Sequence, residues 1–277
     1  MRALITAAGF GTRMLPLTKS IPKEMLPVGD KPAIHYVVEE LIENGINDII
    51  IVVGENGDVT RNYFKYSLEL EKHLKSAGMV YQSHRMDEIN SMANIRCVEQ
   101  LPMSAGHGNV MPILSARHLL KDEPFVLMWG DIIATSSRLD RALARFYKND
   151  SKYSILCATR KVEQSDFHKY GYIQGHKYTS AKHKKKGDFR VDSMLEKPEI
   201  GTEVHSGYAV LNGYIFTPKI FEILDGDAPD HEEKRITDYL NLLIKEEPVY
   251  AVDVSDIAQF DVGTLEGYRE TLIKFLT

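Results

Sequence analysis

Two cysteines in 277 residues, Cys97 and Cys157, leave the chain no disulfide framework. They stand far apart in apolar, strand-like runs, so both are read as free thiols in a reducing compartment. Long hydrophobic runs are missing too. No stretch approaches the ~20 apolar residues of a membrane span. The short apolar N-terminal run has neither the core nor the cleavage site of a secretion signal. A cytoplasmic protein with no membrane partner is expected. A large excess of one charge is missing as well: 34 basic side chains face 39 acidic ones, for a formal net charge of −5. That balance argues against a general nucleic-acid binder, so any recognition of phosphate has to be local. Convincing Ser-His-Asp and Cys-His constellations are absent as well.

What is present is an alternation of strand and helix signals. Residues Ala3–Ala8, Asp48–Gly54, Ile95–Glu99, Phe125–Trp129 and Ser154–Thr159 read as strands. Most are continuously apolar, as in a parallel sheet covered on both faces. Ile34, Val37, Val38, Leu41 and Ile42 recur at helical spacing and run into an Asn44-Gly45 stop. Tyr63, Tyr66, Leu70 and Leu74 predict one amphipathic helix in a long connection. From Tyr170 the strands shorten, at Gly171–Gly175, Phe189–Glu196 and Tyr208–Phe216. Helical patterns return at Pro218–Leu224, Ile236–Lys245 and Thr264–Leu276. The expected class is α/β: a doubly wound, mostly parallel, Rossmann-like sheet flanked by helices, with a smaller mixed-sheet lobe. No repeat or linker breaks the chain, so residues 1–277 are read as a single domain, with the lobes meeting near residue 160. The basic cluster Lys182–Lys186 reads as a solvated hairpin tip.

Chemistry concentrates in Ala7–Pro32, AAGFGTRMLPLTKSIPKEMLPVGDKP. This stretch leaves a strand through Gly9-Phe10-Gly11-Thr12-Arg13. A glycine turn at the end of a parallel strand lets backbone N–H groups approach phosphates. The spacing is not that of a Walker loop, and the third glycine of a dinucleotide fingerprint is missing. Arg13 and Lys23 instead place a cation on each side of a polyphosphate. That arrangement suits attack on the α-phosphorus of a nucleoside triphosphate.

Further motifs follow in order: Pro22–Pro27 (PKEMLP), Phe64–Glu71, Gly106-His107-Gly108, Glu196-Lys197-Pro198, Thr237-Asp238 and Asp261-Val262-Gly263. Together they resemble the sugar-phosphate nucleotidyltransferases over nearly the whole chain. PKEMLP resembles the bacterial and archaeal UTP–glucose-1-phosphate uridylyltransferase branch. The resemblance implies condensation of UTP with glucose 1-phosphate, giving UDP-glucose and pyrophosphate. It implies Mg²⁺ as cofactor, small-molecule partners only, and a homodimer or homotetramer. The first lobe would bind nucleotide and the second, from about residue 161 through the C-terminal helices, would bind sugar.

The same resemblance assigns roles residue by residue. Arg13, Lys23 and Lys197 are the catalytic cations. Ala8, Gly9, Gly11, Thr12 and Arg13 hold the nucleotide, joined by Gln100 and Gly106 at the base. A glutamine amide meets one donor–acceptor pair of the uracil edge. Asp131 and Asp261 take Mg²⁺, which prefers hard oxygen ligands and needs only one or two carboxylates. Asp131 follows a strand, at the carboxyl end where α/β sheets bind ligands. Gly171, Glu196, Lys197 and Asn212 contact the sugar. Neighbouring residues on a strand point to opposite faces, so Glu196 and Lys197 can share a ligand only if Pro198 marks the strand end. Trp129-Gly130-Asp131 and Asp261-Val262-Gly263-Thr264 are similar to the related thymidylyltransferases, which keeps a dTTP enzyme as an alternative. A non-catalytic sugar-nucleotide regulator is the other, although it would not need both metal carboxylates.

Overall fold

A computed structural model describes residues 1–120, 123–161, 163–177, 188–199, 201–204, 206–226 and 233–276. The Lys182–Lys186 cluster lies outside the described residues. The chain opens with β1 (Arg2–Ala7), the short pair β2 (Pro27–Val28) and β3 (Lys31–Pro32), α1 (Ala33–Glu43) and β4 (Asp48–Val53). Next come α2 (Asp58–Phe64), α3 (Leu68–Ser76), α4 (Val80–Ser91), β5 (Asn94–Glu99) and α5 (Met111–Leu120). The central part contains β6 (Phe125–Trp129), β7 (Ile132–Ala134), α6 (Leu139–Lys148), β8 (Ile155–Arg160), β9 (Gly171–Lys177) and β10 (Asp188–Glu196). The chain finishes with β11 (Tyr208–Val210), β12 (Tyr214–Phe216), α7 (Lys219–Asp225), α8 (Ile236–Glu246), β13 (Val249–Asp253), β14 (Gln259–Asp261) and α9 (Leu265–Leu276).

The strands line up as β11-β9-β10-β13-β8-β12-β6-β1-β4-β5, and β11 also pairs with β8. Alternation along β1 sends Ala3 and Ile5 to a layer with Ile34, Val37, Val38 and Leu41 of α1 and with Phe146 of α6. Leu4 goes to the opposite layer, with Ile113 and Leu120 of α5, Phe221 of α7 and Leu240 of α8. Helices therefore cover both faces of the sheet. Each apolar side chain of this size contributes ~1.5–3 kcal/mol on burial. Helix α1 ends as its sequence requires, with Gly45 at φ 74° just beyond Asn44.

Three expectations change. The sheet is parallel only where β5, β4, β1 and β6 run together and where β13 meets β8. Strand β12 inserts antiparallel between β6 and β8. The later strands therefore extend the first sheet and do not form a separate smaller one. Tyr208–Phe216 is two strands, because Gly213 turns the chain at φ 89°. The helix expected across Tyr63, Tyr66, Leu70 and Leu74 breaks at Lys65–Ser67, where the Ser67 hydroxyl accepts from the Leu70 N–H and starts α3.

Pairing places the site. Strands β1 and β6 are parallel neighbours, Ile5 opposite Met128 and Thr6 opposite Trp129. Their carboxyl ends bring the Ala8–Arg13 loop beside Gly130-Asp131. A separate two-stranded ribbon, β7 with β14, sets Asp261 opposite Ile132, the residue after Asp131.

Candidate active site

The glycine loop leaves β1 with Gly11 at φ 65°, a conformation that favours glycine, and Thr12–Met14 forms a single 3₁₀ turn. Ala8 is half-buried, while Gly9, Thr12 and Arg13 are exposed. Beneath the loop, after another such turn at Leu17–Lys19, Pro22 leads into a third, Lys23–Met25. The Lys23 chain lies against Gly9, where an added Cβ would stand 3.4 Å from Cε and Nζ.

Lys23 donates through Nζ to the Asp131 carboxylate. Burial works against the ammonium, but Asp131, Glu24 and Asp261 outweigh it and raise the Lys23 pKa above its ordinary value. Asp261 sits across from this pair. Burial first, and then the charge of Asp131, raise its pKa above the usual carboxylate range, against the Gly263 N–H, Lys23 and Arg13. The Gly263 N–H donates to Asp261 Oδ1 at 2.7 Å, and the Val262 N–H donates to the Asp131 carbonyl at 2.9 Å. A methyl on Gly263 would lie 2.6 Å from Asp131 Oδ2, 2.8 Å from Asp261 Oδ1 and 3.6 Å from Lys23 Nζ. Two carboxylates and an ammonium thus converge on one glycine.

This donor set fits a divalent cation. Asp131 is buried and Asp261 half-buried, their like charges are only partly offset by Lys23, and both offer the hard oxygens a divalent cation takes. No cluster of three or more His, Cys, Asp or Glu ligands occurs among the described residues. A site completed by phosphate oxygens and water fits that count better than an all-protein cage.

Gln100 follows β5 directly and is half-buried, its N–H donating to the Val53 carbonyl at 2.9 Å. Gly106 and Gly108 take φ 126° and 120°. A Cβ at Gly108 would fall 2.3 Å from the Lys234 carbonyl, so this loop can seat only if that position lacks a side chain. The Lys234 N–H donates to the His107 carbonyl at 2.8 Å, and Asn109 Oδ1 accepts from the Ile236 N–H at 2.6 Å. The loop expected to meet the base is therefore strapped to the start of α8. Neither Lys234 nor Asn109 was in the expected set.

The sugar motifs form a second group. Strand β10 ends at Glu196, and Lys197 takes φ 41°, rare for a residue with a side chain. This turn brings Lys197 Nζ to 3.6 Å from Glu196 Oε1, so the adjacent pair shares one side. Glu196 Oε2 accepts from Thr237 Oγ1 at 2.9 Å. A Cβ at Gly171 would meet Thr237 Cγ2 at 2.8 Å and Glu196 Oε2 at 3.6 Å. Tyr214 links the two groups: its ring stands edge-on to Trp129 at 5.8 Å, and its phenol feels the charge of Glu196.

Asn212 is corrected. Its side chain is fully buried and its hydrogen-bonding capacity is taken up by backbone. Oδ1 accepts from the Trp129 and Gly213 N–H groups at 2.8 and 2.9 Å. Nδ2 donates to the Trp129 and Ile132 carbonyls at 3.1 and 3.0 Å. No donor or acceptor is left for a sugar hydroxyl. It staples the segment that carries Asp131.

Glu24, too, lies outside the expected set. It is 1% exposed, and neither carboxylate oxygen finds a hydrogen-bond partner. Burial raises its pKa to about 8. The PKEMLP string placed it beside Lys23, but nothing in the string shows that its side chain turns inward.

A phosphate-type glycine loop, two converging carboxylates and a half-buried lysine thus meet beside the carboxyl ends of the parallel strands β1 and β6. The chain belongs to the nucleotidyl transferase family, whose model matches residues 2–276. It is 35% identical over 283 residues to the UTP–glucose-1-phosphate uridylyltransferase of Bacillus subtilis, spanning 99% of this chain and 90% of that one. It is also 35% identical over 278 residues to UTP–glucose-1-phosphate uridylyltransferase 2 of Staphylococcus saprophyticus, spanning 99% and 91%. A solved UDP-glucose pyrophosphorylase complexed with UDP-glucose matches with a TM-score of 0.82 at 33% identity, covering 100% of this chain and 99% of that one. The UTP-bound enzyme from Acinetobacter baumannii matches with a TM-score of 0.86 at 26% identity, covering 99% and 92%. Among the described residues, no helix is long and apolar enough to cross a membrane.

Proposed function

We propose that this chain joins UTP to glucose 1-phosphate, giving UDP-glucose and pyrophosphate, with Mg²⁺ held by Asp131 and Asp261. The observation that carries the reading is the convergence of Asp131, Asp261 and Lys23 on Gly263, beside the glycine loop. The full-length likeness to uridylyltransferases supports the choice of substrates. When bound, Mg²⁺ supplies charge neutralisation at phosphate oxygens.

The chain's own residues position and neutralise. A phosphate oxygen of glucose 1-phosphate forms a bond to the α-phosphorus, the α–β P–O bond breaks, and pyrophosphate leaves. The nucleophile is already an anion, so in-line placement matters more than a general base. Arg13 spans two phosphate oxygens with its planar fork, and Lys23 acts as a point charge where the two phosphates meet. Backbone N–H groups from Gly9 to Thr12 face the phosphates, and Gln100 with the Gly106 loop faces the base. Glu196 accepts from sugar hydroxyls and Lys197 holds the sugar phosphate, with Gly171 leaving room for the hexose. We place the enzyme in the cytoplasm as a homodimer or homotetramer, an assembly that light scattering would measure directly.

The test is pyrophosphate release with UTP, dTTP, CTP and ATP, each crossed with glucose, galactose and mannose 1-phosphates. The highest kcat/KM is expected for UTP with glucose 1-phosphate. A preference for dTTP would move the chain to the thymidylyltransferases, and no release with any pair would leave a regulator.

A further inference from the structure

Arg138 follows β7, just before α6, and is completely buried. A charge so placed needs partners, and each guanidinium nitrogen of Arg138 has one, on three elements in all. Its Nε reaches Glu40 Oε1 and Oε2 at 3.2 Å each, and Nη2 donates to Glu40 Oε2 at 2.6 Å. Its backbone N–H donates to Glu40 Oε1 at 2.6 Å. The remaining donors leave the pair: Nη2 reaches the Ile132 carbonyl at 3.1 Å and Nη1 reaches Gln259 Oε1 at 3.0 Å. Gln259 in turn donates from Nε2 to Thr159 Oγ1.

These two outlying contacts fall on the ribbon that carries the acids. Ile132 opens β7 directly after Asp131, and Gln259 opens β14 two residues before Asp261. One planar guanidinium therefore grips both strands, with Glu40 of α1 fixing it from behind. The Ile132 carbonyl also accepts from Asn212 Nδ2, so two buried donors hold the Ile132–Ile133 peptide, one residue beyond Asp131. A buried ion pair adds little stability over a well-packed apolar pair of the same volume. An apolar pair would leave the Ile132 carbonyl and the Gln259 amide, one on each strand of the ladder, without these donors.

We propose that Arg138, oriented by Glu40, is a positioning residue that holds Asp131 and Asp261 at the separation a divalent metal–nucleotide complex requires. This rests on the reading of those two aspartates as the metal ligands. Arg138 does not touch substrate; it acts through the ribbon. Loss of an outer partner of a metal ligand typically weakens metal binding about 10–100-fold.

Arg138→Lys keeps the charge but loses the fork, while Gln259→Met removes one strand contact and leaves the Arg138–Glu40 pair in place. Two affinities are measured without sugar phosphate, so no turnover occurs. Enzyme binding to Mn²⁺·UTP is read by water-proton relaxation, and binding to UTP in EDTA by calorimetry. Both variants should bind Mn²⁺·UTP about 10–100-fold more weakly while metal-free UTP binding is unchanged. General loosening of the fold would weaken both affinities together and overturn the proposal. Should Arg138→Lys fail to fold, Gln259→Met decides alone. Asp131→Asn serves as the control. If it loses Mn²⁺·UTP affinity while the other variants keep theirs, the positioning role is wrong and the metal reading stands. If Asp131→Asn also binds as the parent does, both readings fall.

Discussion

The Lys23 ammonium donates to the Asp131 carboxylate, joining the turn beneath the glycine loop to the acid at the end of β6. Both groups are largely buried, with side-chain exposures of 19% and 10%. Lys23→Ala should lower kcat about 100-fold or more, the scale of one electrostatic contact made in the transition state. The affinity for UTP should change far less, because the charge is needed most as the two phosphates converge. Steady-state kinetics with UTP varied would check this. A raised KM with unchanged kcat would make Lys23 a simple binding residue.

Gly263 offers a test by steric crowding. A methyl there would come 2.6 Å from Asp131 Oδ2 and 2.8 Å from Asp261 Oδ1, so the two acids must part. Gly263→Ala should fold with near-parental thermal stability yet lose turnover at least about 10-fold, the lower end expected when metal ligands are displaced. Comparing melting temperature with pyrophosphate release would separate the two effects.

Glu24 should make stability fall as pH rises. Its carboxyl is buried without a hydrogen-bond partner and its folded pKa is about 8 against an ordinary 4.5. Between those values the folded chain keeps a proton that the unfolded chain gives up. The contribution is therefore full below pH 4.5 and is lost as pH passes through about 8. Glu24→Gln removes the proton exchange. Relative to the parent it should gain about 3 kcal/mol between pH 5 and pH 8. Denaturant unfolding of both proteins across that range measures it, and parallel curves would show that Glu24 does not titrate there.

Glu196 and Lys197 should fail differently although they stand 3.6 Å apart. Glu196→Gln removes a charged acceptor, worth roughly 1.5–3 kcal/mol per hydrogen bond. It should blur the choice between glucose 1-phosphate and its epimers. Lys197→Ala should weaken every sugar phosphate alike, since the phosphate does not depend on sugar stereochemistry. Comparing kcat/KM for glucose, galactose and mannose 1-phosphates in both variants decides this. An equal loss across the three sugars in Glu196→Gln would mean that Glu196 does not read stereochemistry.

Much of this arrangement was legible in the sequence wherever the signal was local. The stripe from Ile34 to Ile42, its Asn44-Gly45 stop and the apolar strands carry their own periodicity. The glycine loop and the aspartates stood out by motif. Long-range pairing left no comparable trace. Strands β7 and β14 have three residues each, too few for a periodic pattern, and their pairing is what brings Asp131 and Asp261 together. Arg138 reads as one more surface arginine until its partners on α1, β7 and β14 are known. Asn212 is ambiguous for the same reason: an amide can serve ligand or backbone, and only the tertiary contacts tell which. The break at Lys65–Ser67 hid because the apolar spacing runs across it unchanged, and the Ser67 cap decides the outcome.

The most direct test of the central claim is pyrophosphate release from UTP and glucose 1-phosphate as Mg²⁺ is titrated, for the parent, Asp131→Asn and Asp261→Asn. The account predicts saturable dependence on Mg²⁺ in the parent. Each variant should keep its fold but lose turnover by a few kcal/mol, about 100-fold or more, with the deepest loss at limiting metal. Undiminished turnover of either variant at limiting Mg²⁺ would contradict it.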